Sequence, residues 1–220
     1  MVNWPDTPTQ AGPDAHQTNL TRARYNRIAP IYDLMETLPE RHMAGWRKRL
    51  WAMVPGGRIL EVGVGTGKNF AYHPIYANIT GIDLSERMLD RARRRAEKLG
   101  RPVELRQMDV QQLDFPDHAF DAAVATFVFC SVPDPVLGLH ELGRVVKPTG
   151  RIFLLEHMRI DRPVIGPLMD LLNPLVVRLS GANINRRTVE KVRRAGLNLE
   201  SVTDLGPWGV VKLIVAYPSS

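Results

Sequence analysis

The sequence offers little for cross-linking, for anchoring in a bilayer or for export. Its 220 residues include one cysteine, Cys130, so no internal disulfide can form and a reducing, cytoplasmic compartment is favoured. No apolar run reaches the roughly 18 residues that a membrane-spanning helix needs. The first residues lack a charged start followed by an apolar stretch, and we expect no signal peptide. Metal-ligand spacings of histidine and cysteine are also lacking, so we expect no metal site.

Positive charge is in surplus, with a formal net charge of +6. Such a surplus attracts polyanions, either nucleic acid or an anionic lipid surface, although a merely solvated basic surface is an equal alternative. Hydrophobic residues at 44% and charged residues at 24% indicate a globular domain. Much of the surplus falls in one predicted helix, where we expect a solvated face formed by Arg91, Arg93, Arg94, Arg95 and Lys98.

Apolar segments typical of strands alternate with segments of helical periodicity. The predicted strands are 58–64, 78–83, 103–108, 121–128 and 151–156. Helices are predicted at 135–146 and at 85–99, where Ser85 can cap the start and Gly100 follows the end. This alternation predicts a parallel sheet with helices on both faces. The remaining segments are a mobile tail at 1–18, a helical stretch at 25–53, a short helix at 186–195, and two closing strands at 199–204 and 210–217 that could form a hairpin.

A glycine-rich segment, Glu61-Val62-Gly63-Val64-Gly65-Thr66-Gly67, follows the first predicted strand and is expected to open a helix. Glycines allow a tight turn and a close approach of the backbone to a ligand. The spacing is G-x-G-x-G, not the G-x-G-x-x-G of dinucleotide binders, which place a pyrophosphate at a helix N-terminus. S-adenosylmethionine has no phosphate but has an amino-acid end and a cationic sulfonium. The carboxylate of Glu61 suits such a positive ligand.

Acidic residues follow the same pattern at the ends of the next two predicted strands. Asp83, about 20 positions after the glycine-rich segment begins, is placed to accept both hydroxyls of a ribose. Asp109 could take an adenine amino group, with the backbone of Val110 as the adjacent donor. Each residue alone would be an ordinary turn residue. Because α/β folds bind ligands at the carboxyl ends of their strands, the three motifs together predict one nucleoside site.

With these motifs and the turn at 144–151, the chain resembles the class I S-adenosylmethionine-dependent methyltransferases over about residues 20–218. The resemblance implies an α/β fold, a Rossmann-like, mostly parallel seven-stranded sheet flanked by helices, with an antiparallel last strand and an N-terminal helical lid. It implies S-adenosyl-L-methionine as cofactor and S-adenosyl-L-homocysteine as its product. The cofactor-binding residues that it implies are Tyr25 and Tyr32 of the lid, Glu61, Val62, Gly63, Gly65, Gly67, Asp83, Leu84, Met88, Asp109, Val110 and Thr126.

Within that class, the stretch from Tyr25 to Asp33 resembles both the quinone-biosynthesis C-methyltransferases and the soluble bacterial phosphatidylethanolamine N-methyltransferases. Residues 61–69 and Leu155-Glu156-His157 are more similar to the second group. We expect a single domain at 19–220 after the tail. Its parts are a lid at 19–53, a cofactor-binding core at 54–157, substrate-side cap helices at 158–198 and closing strands at 199–218.

Candidate acceptor-binding residues follow the fourth and fifth predicted strands. Phe127 could hold a cationic head by cation–π attraction, or be a core residue. His157 could orient or deprotonate the acceptor, or be a structural histidine; with Tyr25 it makes the candidate catalytic pair. Arg186 and Arg187 could grip a phosphate headgroup, or be exposed at a helix start. The predicted substrate-binding set is therefore Tyr25, Phe127, His157, Arg186 and Arg187.

Two further segments have the character of membrane-surface helices. One is 41–53, which carries Trp46 and Trp51 among cationic residues, and the other is the apolar stretch 163–179. Both could instead pack on the core. The Asn/Asp-Pro-Pro-Tyr motif of methyltransferases that act on DNA bases is absent, so we expect no nucleic-acid partner. We expect a cytoplasmic monomer that associates peripherally with the anionic inner face of the membrane and takes a phospholipid substrate.

The first hypothesis for function is N-methylation of phosphatidylethanolamine and its mono- and dimethyl forms toward phosphatidylcholine. One alternative is C-methylation of a prenylated quinone precursor, which needs a base near an aromatic ring and fewer phosphate-binding cations. Another is methylation of a small-molecule thiol or amine without any membrane role. A non-enzymatic cofactor-binding module is the last.

Overall fold

Seven strands and six α-helices make up the fold in the computed structural model, which describes residues 12–219 except for the side chains of Pro39, Leu179 and Ser180. The helices are α1 (Ala15–Met35), α2 (Thr37–Trp51), α3 (Glu86–Leu99), α4 (Pro135–Val145), α5 (Ile165–Ser180) and α6 (Thr188–Arg194). The strands are β1 (Gly57–Val62), β2 (Ala77–Asp83), β3 (Val103–Gln107), β4 (Phe120–Thr126), β5 (Val146–His157), β6 (Leu197–Leu205) and β7 (Val211–Pro218).

The strands form one sheet in the order β3-β2-β1-β4-β5-β7-β6. Strands β1 to β5 pair in parallel, and β7 runs antiparallel to both β5 and β6. The predicted Rossmann-like sheet with an antiparallel last strand is thereby confirmed. Because β1 to β5 are parallel, their carboxyl ends lie along one edge, and the loops after them meet there. The chain order reverses between β1 and β4, which places the crevice of the sheet beside β1.

Apolar clusters cover both faces of the sheet because successive strand residues point to opposite sides. On one side of β1, Leu60 packs in the cluster that contains Leu139 and Leu142 of α4. On the other side, Ile59 packs in the cluster that contains Trp51 of α2. The two-sided cover explains why the central strands are continuous apolar runs rather than alternating ones. In the described residues, no helix combines the length and the hydropathy that crossing a bilayer requires.

Local capping fixes the ends of α3 where the sequence predicted them. The Ser85 hydroxyl oxygen accepts the backbone N–H of Met88 at 3.2 Å, and Gly100 follows the helix with φ of 59°. That left-handed conformation is the one that favours glycine after a helix. The start of α4 is fixed in the same way, since Asp134 accepts the N–H groups of Val136 and Leu137.

Three expectations about local structure need correction, in whole or in part. The glycine-rich segment opens no α-helix, because Gly63, Gly65 and Gly67 have φ of 62°, 54° and 80°, and only turns and a short 3-10 helix at Phe70–Tyr72 follow. The helix predicted at 186–195 begins only at Thr188.

The third concerns the predicted tail at 1–18, of which residues 1–11 lie outside the described residues. Helix α1 begins at Ala15, inside that segment, because the Asp14 side chain accepts the N–H groups of His16 and Gln17. Thr18 then contacts the body of the domain through Asp109. The helical lid therefore starts earlier than the hydrophobic pattern indicated.

Candidate active site

A cavity of about 340 Å³ opens at the carboxyl edge of the sheet, under α1 and α2. The loops after β1, β2, β3 and β4 and the last residue of β5 contribute to its wall. This is the place where parallel α/β sheets bind ligands. The predicted cofactor residues that line it are Tyr25, Tyr32, Gly63, Gly65, Asp83, Leu84, Met88, Asp109, Val110 and Thr126. Of the predicted acceptor residues, Tyr25, Phe127 and His157 line it as well.

Asp83 ties the first two loops together. One carboxylate oxygen accepts the backbone N–H of Gly65 at 2.8 Å, and the other accepts that of Ser85 at 2.8 Å. Desolvation raises the pKa of the Asp83 carboxyl to about 6, with the charge of Glu61 as a smaller cause, while the two backbone donors act in the opposite direction. The remaining lone pairs of both oxygens are free to accept hydroxyl donors from a ligand.

The wall beside Asp83 has room for a ligand at Gly65. A methyl group added at Gly65 would meet no protein atom within 4 Å, so a side chain there would project into open space. At the neighbouring loop, the Asp109 carboxylate accepts the N–H of Gln111 at 2.9 Å and the hydroxyl of Thr18 at 3.1 Å. Two carboxylates and a bare glycine wall fit a nucleoside with a cationic sulfur. Among the described residues, no His, Cys, Asp or Glu group is arranged to hold a metal ion.

Glu61 does not line the cavity, which corrects the expectation that its carboxylate meets the ligand. It is fully buried, and its two oxygens lie 2.6 Å from Asn69 Nδ2 and 2.8 Å from His73 Nε2. It therefore holds the turn that follows the glycine-rich segment. Val62 and Gly67 also fall behind the wall: Val62 is 1% exposed in the sheet core, and Gly67 lies against the ring of Phe70.

Helix α1 forms the roof of the cavity by one polar contact to each of three loops. The Thr18 hydroxyl donates to Asp109 after β3, and the Asn26 side-chain oxygen accepts the Ser85 hydroxyl at 2.7 Å after β2. The third contact is the Thr66 hydroxyl, after β1, which donates to the Asp33 carboxylate at 2.6 Å. The roles of Thr18, Asn26 and Asp33 are not evident from the sequence, because their partners are distant in the chain.

Asp33 is also the anchor of two arginines that were expected to be solvated. Arg91 Nη2 lies 2.9 Å and Arg95 Nη2 lies 3.1 Å from the Asp33 carboxylate. Desolvation acts to raise the pKa of the Asp33 carboxyl, but the hydrogen bond from Thr66 and these two arginines hold it below its usual value. Arg93 pairs instead with Glu86 of its own helix. Part of the basic face of α3 thus holds the roof in place.

Two tyrosines of the roof reach into the cavity as neutral phenols. Desolvation is the main cause that raises the pKa of the Tyr25 and Tyr32 hydroxyls well above the ordinary value. The Ser131 side chain acts to lower the pKa of the Tyr25 hydroxyl, and the charge of Asp83 acts to raise it. Tyr25 therefore stands between the cofactor loops and the loop after β4.

The far end of the cavity contains an aromatic pair. Phe127, with φ of 59°, stacks on His157 with ring centroids 4.6 Å apart. Burial and the charge of Arg47 lower the pKa of His157, against the opposing effect of its hydrogen bond to the backbone of Val210. The lowered pKa favours the neutral imidazole, which can accept a proton.

Neither predicted phosphate-binding arginine lines the cavity. Arg187 is exposed and pairs with Asp161 at 2.9 Å and Glu190 at 3.2 Å. Arg186 donates from Nη2 to the Val132 carbonyl at 3.1 Å. Arg187 is thus paired with carboxylates of the protein, and Arg186 with a backbone carbonyl, while the Arg186 Nε is buried without a hydrogen-bond partner among the described residues.

Comparisons with known proteins agree with this geometry. Residues 60–154 match the family model described as methyltransferase domain. A phosphatidylethanolamine N-methyltransferase of Cereibacter sphaeroides is 46% identical over 115 residues, which cover 51% of this chain and 55% of the relative, so the match spans about half of that protein. A demethylmenaquinone methyltransferase of Lactobacillus johnsonii is 31% identical over 174 residues, which cover 73% of this chain and 71% of the relative.

Among solved structures, a similar fold is that of an S-adenosylmethionine-dependent methyltransferase, possibly a histamine N-methyltransferase by its description, from Thermotoga maritima. The TM-score is 0.69 at 22% identity, with 90% of this chain and 100% of that chain covered. At that identity the likeness shows the fold alone.

Lowering the pH through about 6 should weaken the binding of S-adenosylhomocysteine. Protonation of Asp83, whose pKa is about 6, removes the charge that accepts ribose hydroxyls. Each pH unit below that value should then reduce affinity by about tenfold. Calorimetric titrations from about pH 8 to about pH 5 measure the slope. Asp83→Asn should bind weakly without this dependence, and a flat profile for the unaltered protein would argue against a role for Asp83.

Asp33→Asn should speed the dissociation of S-adenosylhomocysteine severalfold, because it loosens the roof at Arg91, Arg95 and Thr66 while leaving the cavity wall intact. Stopped-flow displacement measures the rate. Asp90→Asn, which removes one partner of Arg93 on α3, is the matched control and should leave the rate unchanged. Equal rates for both variants would rule out the roof contact as a barrier to release.

Proposed function

Because this chain belongs to the class I S-adenosylmethionine-dependent methyltransferases, we propose that it methylates the amino nitrogen of phosphatidylethanolamine and of its mono- and dimethyl forms, toward phosphatidylcholine. The cofactor is S-adenosylmethionine. The relative from Cereibacter sphaeroides supports this acceptor. The observation that carries the proposal is an exposed apolar surface beside the mouth of the cavity.

That surface, the apolar rim, is formed by the end of α1, the start of α2, and α5. Met35 of α1 and Val176 of α5 line the cavity, so these elements flank its opening. Around them the large side chains face solvent, with exposed fractions of 78% for Leu34, 70% for Leu38, 76% for Leu171 and 56% for Leu175. Large apolar side chains that stay exposed near one another can mark interaction sites. A lipid acceptor explains why they surround an enzyme cavity.

Of the two segments that could lie on a membrane, the structure favours one. In 41–53, Leu50 is 0% exposed and Trp51 2% exposed, so these residues pack in the core and do not reach a lipid surface. Helix α5 instead presents Leu168, Leu171, Leu172 and Leu175 to solvent. We therefore propose that α5 docks on the anionic cytoplasmic face of a membrane, helped by the positive net charge of the chain.

His157 is proposed as the group that accepts the proton of the acceptor. The cofactor supplies an electrophilic methyl group on its sulfonium, which an acceptor attacks in line. An alkylammonium, with a pKa near about 10 by analogy with lysine, must lose a proton before it can attack. His157 is neutral and stands at the cavity wall beside Phe127, whose ring can hold a cationic head. Tyr25 orients the acceptor between the two ends of the cavity.

Quinone C-methylation is the second candidate. The demethylmenaquinone methyltransferase relative supports it, and an apolar rim would also suit a prenylated substrate. A quinone precursor carries no phosphate. This candidate therefore assigns no ligand to Arg47, whose charge acts on His157 of the aromatic pair.

Transfer of labelled methyl groups separates the two candidates. Cofactor labelled in its methyl group is incubated with the full chain and vesicles that contain phosphatidylethanolamine, and in parallel with a demethylated prenyl hydroquinone, kept reduced, in neutral vesicles. We expect label in mono-, di- and trimethylated headgroups. Label in the quinone and none in the phospholipid would overturn the proposal.

The rim gives a second test. Leu171→Gln with Leu175→Gln should lower the rate on vesicles by about tenfold or more, since each buried leucine contributes roughly 1.5–3 kcal/mol to association with an apolar phase. The rate on a short-chain phosphatidylethanolamine dissolved as monomers should stay within about twofold. Leu99→Gln, on exposed surface at the end of α3, is the control. An equal loss on both substrates would mean that α5 serves stability only.

A further inference from the structure

Two cationic side chains line the cavity, and neither was expected from the sequence. They are Arg47 of α2 and Lys68, which follows the glycine-rich segment. Arg47 has 8% of its side chain exposed and Lys68 has 12%. Charged groups removed from water to this degree need compensating partners. The partners of Arg47 are incomplete.

Two of the three guanidinium nitrogens of Arg47 are used by the protein. Nε donates to Glu40 at 3.1 Å, and Nη1 donates to Asn69 Oδ1 at 3.0 Å and to the Thr126 hydroxyl at 2.8 Å. Nη2 has no hydrogen-bond partner in the part of the chain that the structure describes, and it is not among the atoms sealed away without one. Since Arg47 lines the cavity, this nitrogen is available to a ligand there.

The position of Arg47 is at the acceptor end. Its guanidinium carbon lies 5.3 Å from the centre of the Phe127 ring, the same ring on which His157 stacks at 4.6 Å. The charge of Arg47 also acts to lower the pKa of His157 and of the Tyr32 hydroxyl. The Arg47 guanidinium and the His157 imidazole therefore both lie beside the Phe127 ring.

The pairing of a proton acceptor with a guanidinium suits a phosphoester amine. In such an acceptor, two carbons and one ester oxygen separate the nitrogen from the phosphorus. A ligand whose nitrogen lies at His157 would bring its anionic group near the other neighbour of Phe127. A guanidinium binds phosphate oxygens well because its donors are fixed in a planar fork.

Acidic neighbours balance the local charge. Glu40 lies 3.1 Å from Arg47 Nε and 3.3 Å from Lys68 Nζ, and Glu36 lies 3.8 Å from Lys68 Nζ. The cluster of Arg47, Lys68, Glu36 and Glu40 therefore carries both signs. A zwitterionic headgroup is compatible with such a cluster, whereas a simple dianion would meet the two carboxylates.

We propose that Arg47 binds the phosphodiester of the acceptor through its free Nη2, and that it takes the role that the sequence suggested for Arg186 and Arg187. This inference rests on the proposed function, since it names the group that recognises the acceptor of that reaction. It makes Arg47 a specificity-determining residue that separates phospholipid from quinone.

Calorimetric binding of two soluble probes tests it. The first probe is dihexanoyl phosphatidylethanolamine below its micelle concentration, and the second is S-adenosylhomocysteine. Arg47→Met should weaken binding of the first probe by about tenfold or more, which is the effect of a lost charged hydrogen bond. The affinity for the second probe should stay within about twofold. Arg47→Lys keeps the charge and loses the fork, so its affinity should be intermediate. Arg49→Met, at an exposed position of the same helix, should change neither.

The outcomes separate the inference from the function. If the unaltered protein binds the phospholipid probe and Arg47→Met binds it equally well, the inference is wrong and the proposed function stands. A larger loss for S-adenosylhomocysteine would assign Arg47 to the carboxylate of the cofactor instead. Equal loss of both probes would make it a structural contact of the lid. If the unaltered protein does not bind the phospholipid probe, both the inference about Arg47 and the proposed function are overturned.

Discussion

The carboxylate of Asp83 is the contact on which the geometry of the cavity depends. Its two oxygens hold the backbone N–H groups of Gly65 and Ser85, which belong to different loops, at the same distance of 2.8 Å. The same carboxylate sits partly out of water, and this desolvation raises its pKa. The charged form of this desolvated carboxylate is stabilised by hydrogen-bond donors, whether these come from the backbone or from a ligand. Loop architecture and ligand affinity are therefore linked through one side chain.

The roof extends this dependence to the N-terminal segment. Helix α1 has little apolar character of its own, and its only buried residue is Ala29 among those described. What holds it is polar: Thr18, Asn26 and Asp33 each bond to the loop after a different strand. A lid attached by hydrogen bonds and ion pairs can leave and return without exposing a large apolar surface, which suits a site that must exchange its cofactor.

Local signals explain what could be predicted from the sequence. Strand order along the chain, the cap at Ser85, the left-handed Gly100 and the acidic residues at two strand ends all depend on neighbours in sequence. What the sequence could not reveal depends on contacts across the fold. Glu61 is buried by Asn69 and His73, and Arg91 and Arg95 are drawn to Asp33 of a helix some 60 residues away in sequence. The expected phosphate-binding role of Arg186 and Arg187 is not supported for the same reason, because composition does not determine the direction in which a guanidinium points.

One measurement tests the central claim that three strand ends and the roof make a single cofactor site. It is a crystal structure of the full chain with S-adenosylhomocysteine. Our account predicts both ribose hydroxyls about 2.7–3.1 Å from the Asp83 carboxylate, the adenine against the loop of Asp109, and the amino-acid end along Gly63 and Gly65 beneath a docked α1. A nucleoside bound elsewhere, or a ribose that leaves Asp83 without a contact, would contradict it.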